Sequence, residues 1–134
     1  MPHTHAILPL RASLALLGVT QPAMPGPAGD AVRRACQLRL RRSERASEAA
    51  IDAYRRRLRQ SEDTVEVVDY GAGSGRDPQR RVAEIYRRAA TGPAWGRFLF
   101  GLVRGLRPKR VLELGTNLGV GAAHLSAALA LYEQ

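Results

Sequence analysis

A chain of 134 residues with 45% hydrophobic content suits one modest globular domain, and no internal repeat points to a solenoid. A single cysteine, Cys36, excludes an intrachain disulfide and a cysteine-based metal cluster, so a reducing, cytoplasmic setting is the default expectation. The net charge of +9 is carried by arginine: Lys109 is the single lysine among 21 basic residues, so the basic balance partly reflects coding bias and has to be located before a partner is read into it.

Residues 1–60 hold 11 arginines against four acids, a net +7, while residues 61–134 hold nine arginines and one lysine against eight acids, a net +2. The excess therefore lies on the amino-terminal half. Residues 1–29 read as a disordered or removable segment: His3, His5 and Arg11 precede a short apolar run over 12–19, followed by Pro22, Pro25 and Pro27. The charged start, the apolar run and Gln21-Pro22-Ala23 follow the general plan of a secretory signal, but the run sits at the lower length limit for one. An alternative is that translation begins at Met24. No stretch approaches the roughly 20 apolar residues that a membrane-crossing helix needs.

Residues 30–61 form the longest helical signal, an arginine-rich amphipathic helix. Cys36, Leu40, Ser47, Ile51, Tyr54 and Leu58 fall on one stripe at helical spacing, and Arg33, Arg34, Arg41, Arg45, Arg55 and Arg59 occupy much of the rest. Asp30 is positioned to cap its start, and Asp52 to pair with Arg56 one turn on. Such a surface would bind nucleic acid or an acidic lipid surface by counterion release. No aromatic side chains are interleaved for base stacking, so an ordinary solvated face is the favoured reading, and nucleic acid is a possible partner rather than the expected one.

Thr64 to Tyr70 reads as a strand, followed by G-A-G-S-G. The first helix after it is expected from Asp77 as N-cap and Pro78 as first residue, burying Val82, Ile85, Tyr86 and Ala89 and stopping at Gly92-Pro93. A second helix places Trp95, Phe98, Leu99, Leu102, Val103 and Leu106 on one core-facing stripe and ends before Pro108. Its apolar face is expected to pack on the 78–90 helix and on the last helix of the chain.

Residues 110–125, R-V-L-E-L-G-T-N-L-G-V-G-A-A-H-L, then read as a strand over 111–114, a glycine turn and a helix. A turn of this kind lets a ligand approach the backbone at the carboxyl end of a buried parallel strand. Two segments compete for that role. Asp69, Gly71, Gly73 and Gly75 spell D-x-G-x-G-x-G letter for letter, but two helices follow them, where a cofactor turn is followed by one helix and a second strand. Neither glycine cluster completes the dinucleotide pattern G-x-G-x-x-G, because position 124 is His and position 76 is Arg, so a nicotinamide cofactor is the weaker choice. His124 reads as a helix-packing residue rather than a catalytic base, and Gly121 as no more than a residue at the start of a helix.

The stretch V-L-E-L-G-T-N-L-G-V-G-A-A-H-L resembles motif I of class I S-adenosylmethionine-dependent methyltransferases, in particular the subgroup similar to catechol and caffeoyl-coenzyme A O-methyltransferases. The likeness covers about residues 62–134. It implies an α/β chain that is mostly helical as it stands, being the amino-terminal portion of a Rossmann-like methyltransferase fold preceded by helices. It also implies S-adenosylmethionine as cofactor and a small-molecule methyl acceptor as substrate. Carried onto matching positions, Gly115 and Gly119 would let the turn approach the methionine half of the cofactor, Glu113 would meet its ammonium group, and Thr116 and Asn117 would line the turn. The likeness identifies no catalytic residue in this chain, and any metal ligands would come from later strands, so no metal-binding residue is expected here.

The last residues fall within or just after the motif I helix, so the expectation is a truncated domain. It would lack the second strand with its ribose-binding acid and the acceptor pocket that holds a substrate in line with the methyl group. Such a chain is expected to show no methyl transfer alone and to leave an edge of strand 111–114 open. The alternative function is a basic helical module that binds nucleic acid or serves as an interaction surface.

Overall fold

The computed structural model describes residues 25–37, 39–68 and 78–132. Its elements are α1 (Gly26–Cys36), a 3-10 turn (Arg42–Glu44), α2 (Arg45–Gln60), β1 (Thr64–Glu66), β2 (Gln79–Arg81), α3 (Val82–Ala89), α4 (Pro93–Leu106) and α5 (Val120–Leu129). The chain is thus mostly helical with one small antiparallel pair of strands among the described residues. No described helix is long and apolar enough to cross a membrane. Two compact units divide it. One holds α1, Gly92–Val111 and the chain from Leu125; the other holds Leu40–Thr91 and Leu112–His124.

In the first unit α1 packs on α4. Pro27 falls in the first turn of α1, where a missing N–H costs nothing, and Pro93 does the same in α4. Ala31 and Ala35, one turn apart and 0% and 1% exposed, face Gly105 and Gly101, also one turn apart. A Cβ at Gly101 would stand 3.1 Å from the Ala35 Cα, and one at Gly105 would stand 2.9 Å from the Ala31 Cβ, so small residues set the approach of the two backbones. Phe98 and Trp95 meet edge to face at 5.6 Å and pack with Ala35, Val32 and Cys36. The main partner of the 95–106 stripe is therefore α1, part of which falls in the segment read as a tail; the expected 78–90 helix belongs to the other unit, and Leu125–Leu129 of the final helix shares the unit of α4. α4 ends at Leu106 with Arg107 in the left-handed conformation, φ 48°, its N–H donating to Val103 O at 2.8 Å.

Four expectations are corrected here. The single helix over 30–61 is two helices, and Asp30 lies inside α1, where its carboxylate pairs with Arg33, rather than at a cap. The second helix has its own start, because the buried Glu44 carboxylate accepts the Arg41 backbone N–H at 2.6 Å. The helix expected from Pro78 begins only at Val82: Gln79–Arg81 instead pairs with Thr64–Glu66, with Val65 opposite Arg80, so the N-cap is Arg81. The strand expected at 111–114 is not paired; the two strands described pair with each other. Its alternation nevertheless persists, with Val111 and Glu113 partly buried and Leu112 and Leu114 83% and 85% exposed. The Asp69–Gly75 segment and the tail before Pro25 lie outside the described residues.

Candidate functional site

The turn after Glu113 is built from left-handed backbone. Gly115, Asn117 and Gly119 have φ of 76°, 52° and 74°, a conformation that glycine adopts freely and asparagine tolerates. Nothing would touch a Cβ at Gly115 within 4 Å, so the sign of φ, not crowding, selects glycine there. The Gly119 N–H donates to Thr116 O at 2.9 Å, and Gly119 O accepts the Ala123 N–H at 2.9 Å, which makes Gly119 the residue that opens α5. The Tyr54 hydroxyl donates to Leu118 O at 2.7 Å and ties the turn to α2. Gly115, Thr116 and Asn117 remain exposed.

Glu113 is the residue that the turn and the helix hold between them. The two-residue alternation of 111–114 turns it inward, and its carboxylate rests against Gly121 in the first turn of α5. A Cβ at Gly121 would stand 2.3 Å from Glu113 Oε1 and 3.1 Å from Thr91 Oγ1, so glycine makes the seat. The positive end of a helix favours a carboxylate at this place. Glu113 Oε2 is buried and has no hydrogen-bond partner, which leaves an acceptor ready for a donor. The structure thus brings Glu113 together with the Gly115–Gly119 turn, and keeps Thr116 and Asn117 at the surface beside it.

Gly121, read from the sequence as no more than a residue at a helix start, is the position that leaves room for the Glu113 carboxylate. A signal was present: glycine inside a helix costs about 1 kcal/mol relative to alanine, so its presence calls for a packing reason.

Behind the turn lies a polar cluster drawn from α2 and α5. Glu48 and Arg55 lie on one face of α2 with Ile51 between them, and all three are buried. His124 is 0% exposed; its Nδ1 is 3.7 Å from Glu48 Oε2 and its Nε2 is 3.4 Å from Arg55 Nη2. Since a guanidinium only donates, Nε2 is the accepting nitrogen and Nδ1–H faces the carboxylate. Arg55 also donates to Thr91 O at 2.7 Å. Burial alone pushes the Tyr86 hydroxyl up, but the guanidiniums of Arg55 and Arg59 outweigh it and hold its pKa below the usual tyrosine value. His124 is therefore fully buried within this polar cluster. Arg55, assigned by its charge to the solvated face, is corrected to a core residue.

Among the described residues no three His, Cys, Asp or Glu side chains gather to hold a metal ion. No known protein family, curated protein or solved structure matches this chain.

Proposed function

We propose that residues 110–125 form the S-adenosylmethionine-binding turn of a class I methyltransferase acting on a small-molecule acceptor. The observation that carries the reading is Glu113: a carboxylate seated over a helix start by a glycine that leaves room for it, with one buried oxygen lacking a donor, next to a left-handed turn. The residues fit the group. S-adenosylmethionine carries an ammonium that needs an acceptor, and it has no pyrophosphate, so the incomplete dinucleotide pattern is no obstacle.

The cofactor supplies an electrophilic methyl group on its sulfonium. Glu113 Oε2 accepts the ammonium. Gly115 and Gly119 keep the turn in a conformation that leaves its backbone open to the methionine half, and Thr116 and Asn117 line it. In this reading 111–114 is the first strand of a Rossmann-like sheet. Support comes from Leu112 and Leu114, which expose on one side an apolar pair that neighbouring polypeptide would cover.

Calorimetric titration with S-adenosylmethionine checks the assignment. A hydrogen bond to a charged group contributes about 1.5–3 kcal/mol. Glu113→Gln is therefore expected to weaken binding by about 10-fold or more. Equal affinity in the variant, or no binding by the unaltered chain, would remove the basis for the reading.

A further inference from the structure

We infer that the first unit carries, at the carboxyl end of α4, a docking surface for an anionic lipid bilayer, in which Arg107, Lys109 and Arg110 stand beside two exposed leucines, Leu106 and Leu131. The surface involves neither Glu113 nor the glycine turn.

α4 stops at Leu106, because Arg107 is left-handed at φ 48° and Pro108 follows. The chain leaves the helix at the surface, and Arg107, Lys109 and Arg110 are all exposed. The Tyr132 hydroxyl donates to Pro108 O at 3.0 Å and brings the end of the described chain to the same place. Leu131, next to that tyrosine, is 37% exposed, and Leu106, next to Arg107, is 46% exposed. Among the described residues of this unit they are the two most exposed large apolar side chains. One exposed leucine on a surface is ordinary; two gathered among cations mark an interaction site.

The charge here is not neutralised by acids among the described residues. Asp30, the one acid described in the unit, is already paired with Arg33. Even with Glu133 counted against them, Arg107, Lys109 and Arg110 leave a net positive charge. A cation beside an anionic bilayer raises the partition constant about fivefold. Leucines entering the headgroup boundary add an apolar contribution that salt does not screen. Nucleic acid would engage the cations alone: phosphates offer the leucines no partner, and no exposed ring of this unit is described for base stacking. Phe98 and Phe100 are buried, Trp95 packs edge to face on Phe98, and Tyr132 is half-buried.

The test is flotation of the full chain at low salt with vesicles of mixed phosphatidylserine and phosphatidylcholine, and with vesicles of phosphatidylcholine alone. Binding to the first and not to the second is expected. Lys109→Glu combined with Arg110→Glu, at exposed positions, is expected to lower partitioning about tenfold or more. Leu106→Ser combined with Leu131→Ser is expected to lower it by about the same factor. Circular dichroism verifies that both variants remain folded. Independently of any substitution, a nitroxide-bearing lipid in mixed bicelles is expected to broaden the amide resonances of Leu106, Arg107, Lys109, Arg110 and Leu131 before others. Equal binding to both vesicle types, no binding to the anionic ones, broadening centred elsewhere, or undiminished partitioning of either folded variant would each overturn the proposal. So would a mixed-sequence DNA duplex bound in preference to the anionic vesicles and equally well by the leucine variant, which would assign the surface to nucleic acid.

Discussion

Arg55→Met is expected to destabilise the second unit by about 3–5 kcal/mol, the cost of breaking a buried charged arrangement by removing one member. Arg56→Met, one position along the same helix, is expected to stay within about 0.5 kcal/mol of the parent, as surface changes do. The contrast follows from location. Arg55 is 5% exposed and donates to Thr91 O, while its guanidinium lies 3.4 Å from a fully buried His124. Its loss strips a donor from a buried carbonyl and takes a cation from a cluster that retains the buried Glu48 carboxylate 3.7 Å from His124. Methionine preserves much of the volume, so the effect isolates the charge and hydrogen bonds. Urea unfolding of the two variants measures it; similar losses for both would mean that the cluster contributes nothing particular to the fold.

Gly121→Ala is expected to separate stability from binding. Alanine is favoured over glycine in a helix by about 1 kcal/mol. The new Cβ meets flexible side-chain ends, Glu113 Oε1 at 2.3 Å and Thr91 Oγ1 at 3.1 Å, which can swing away. The unfolding midpoint should therefore move little. The Glu113 carboxylate, however, loses its seat, and S-adenosylmethionine affinity should fall about tenfold or more, close to the loss from Glu113→Gln, with the double variant no weaker than either single one because both remove one interaction. Affinity at the parent level in folded Gly121→Ala would show that the seat does not position the carboxylate.

Much of the architecture could be read locally. α4 is bounded by Pro93 and by the Leu106–Pro108 stop, signals that act through the backbone of the residues that bear them. Ile51 and Leu58 fall on the buried stripe that helical spacing predicts. The glycine turn was legible because positive φ is a property of single residues, and Gly115, Asn117 and Gly119 are the residue types that adopt it.

What escaped was decided by partners distant in sequence. Asp77-Pro78 has the spelling of a helix start, but 79–81 is claimed by β1, a pairing that no local pattern announces. The break between α1 and α2 carries no glycine or proline, and the two helices keep nearly one amphipathic phase, so periodicity alone joins them. α1 itself was obscured by the density of proline and glycine around its first turn, where Pro27 suits the geometry. Charge misled on α2: Arg55 reads as part of the solvated face, yet it is buried because its partners lie beside it. At the candidate site Glu113 was picked out by the resemblance to motif I, whereas the seat at Gly121 depends on a side chain eight positions earlier.

The central claim is that the turn and Glu113 receive S-adenosylmethionine, and backbone amide mapping during titration of the cofactor into the full chain addresses it most directly. Saturable shifts concentrated at Gly115, Thr116, Asn117, Gly119 and Gly121, and weakened in Glu113→Gln, are the predicted result. Shifts that leave these amides unmoved, or that remain equally strong in Glu113→Gln, would contradict it.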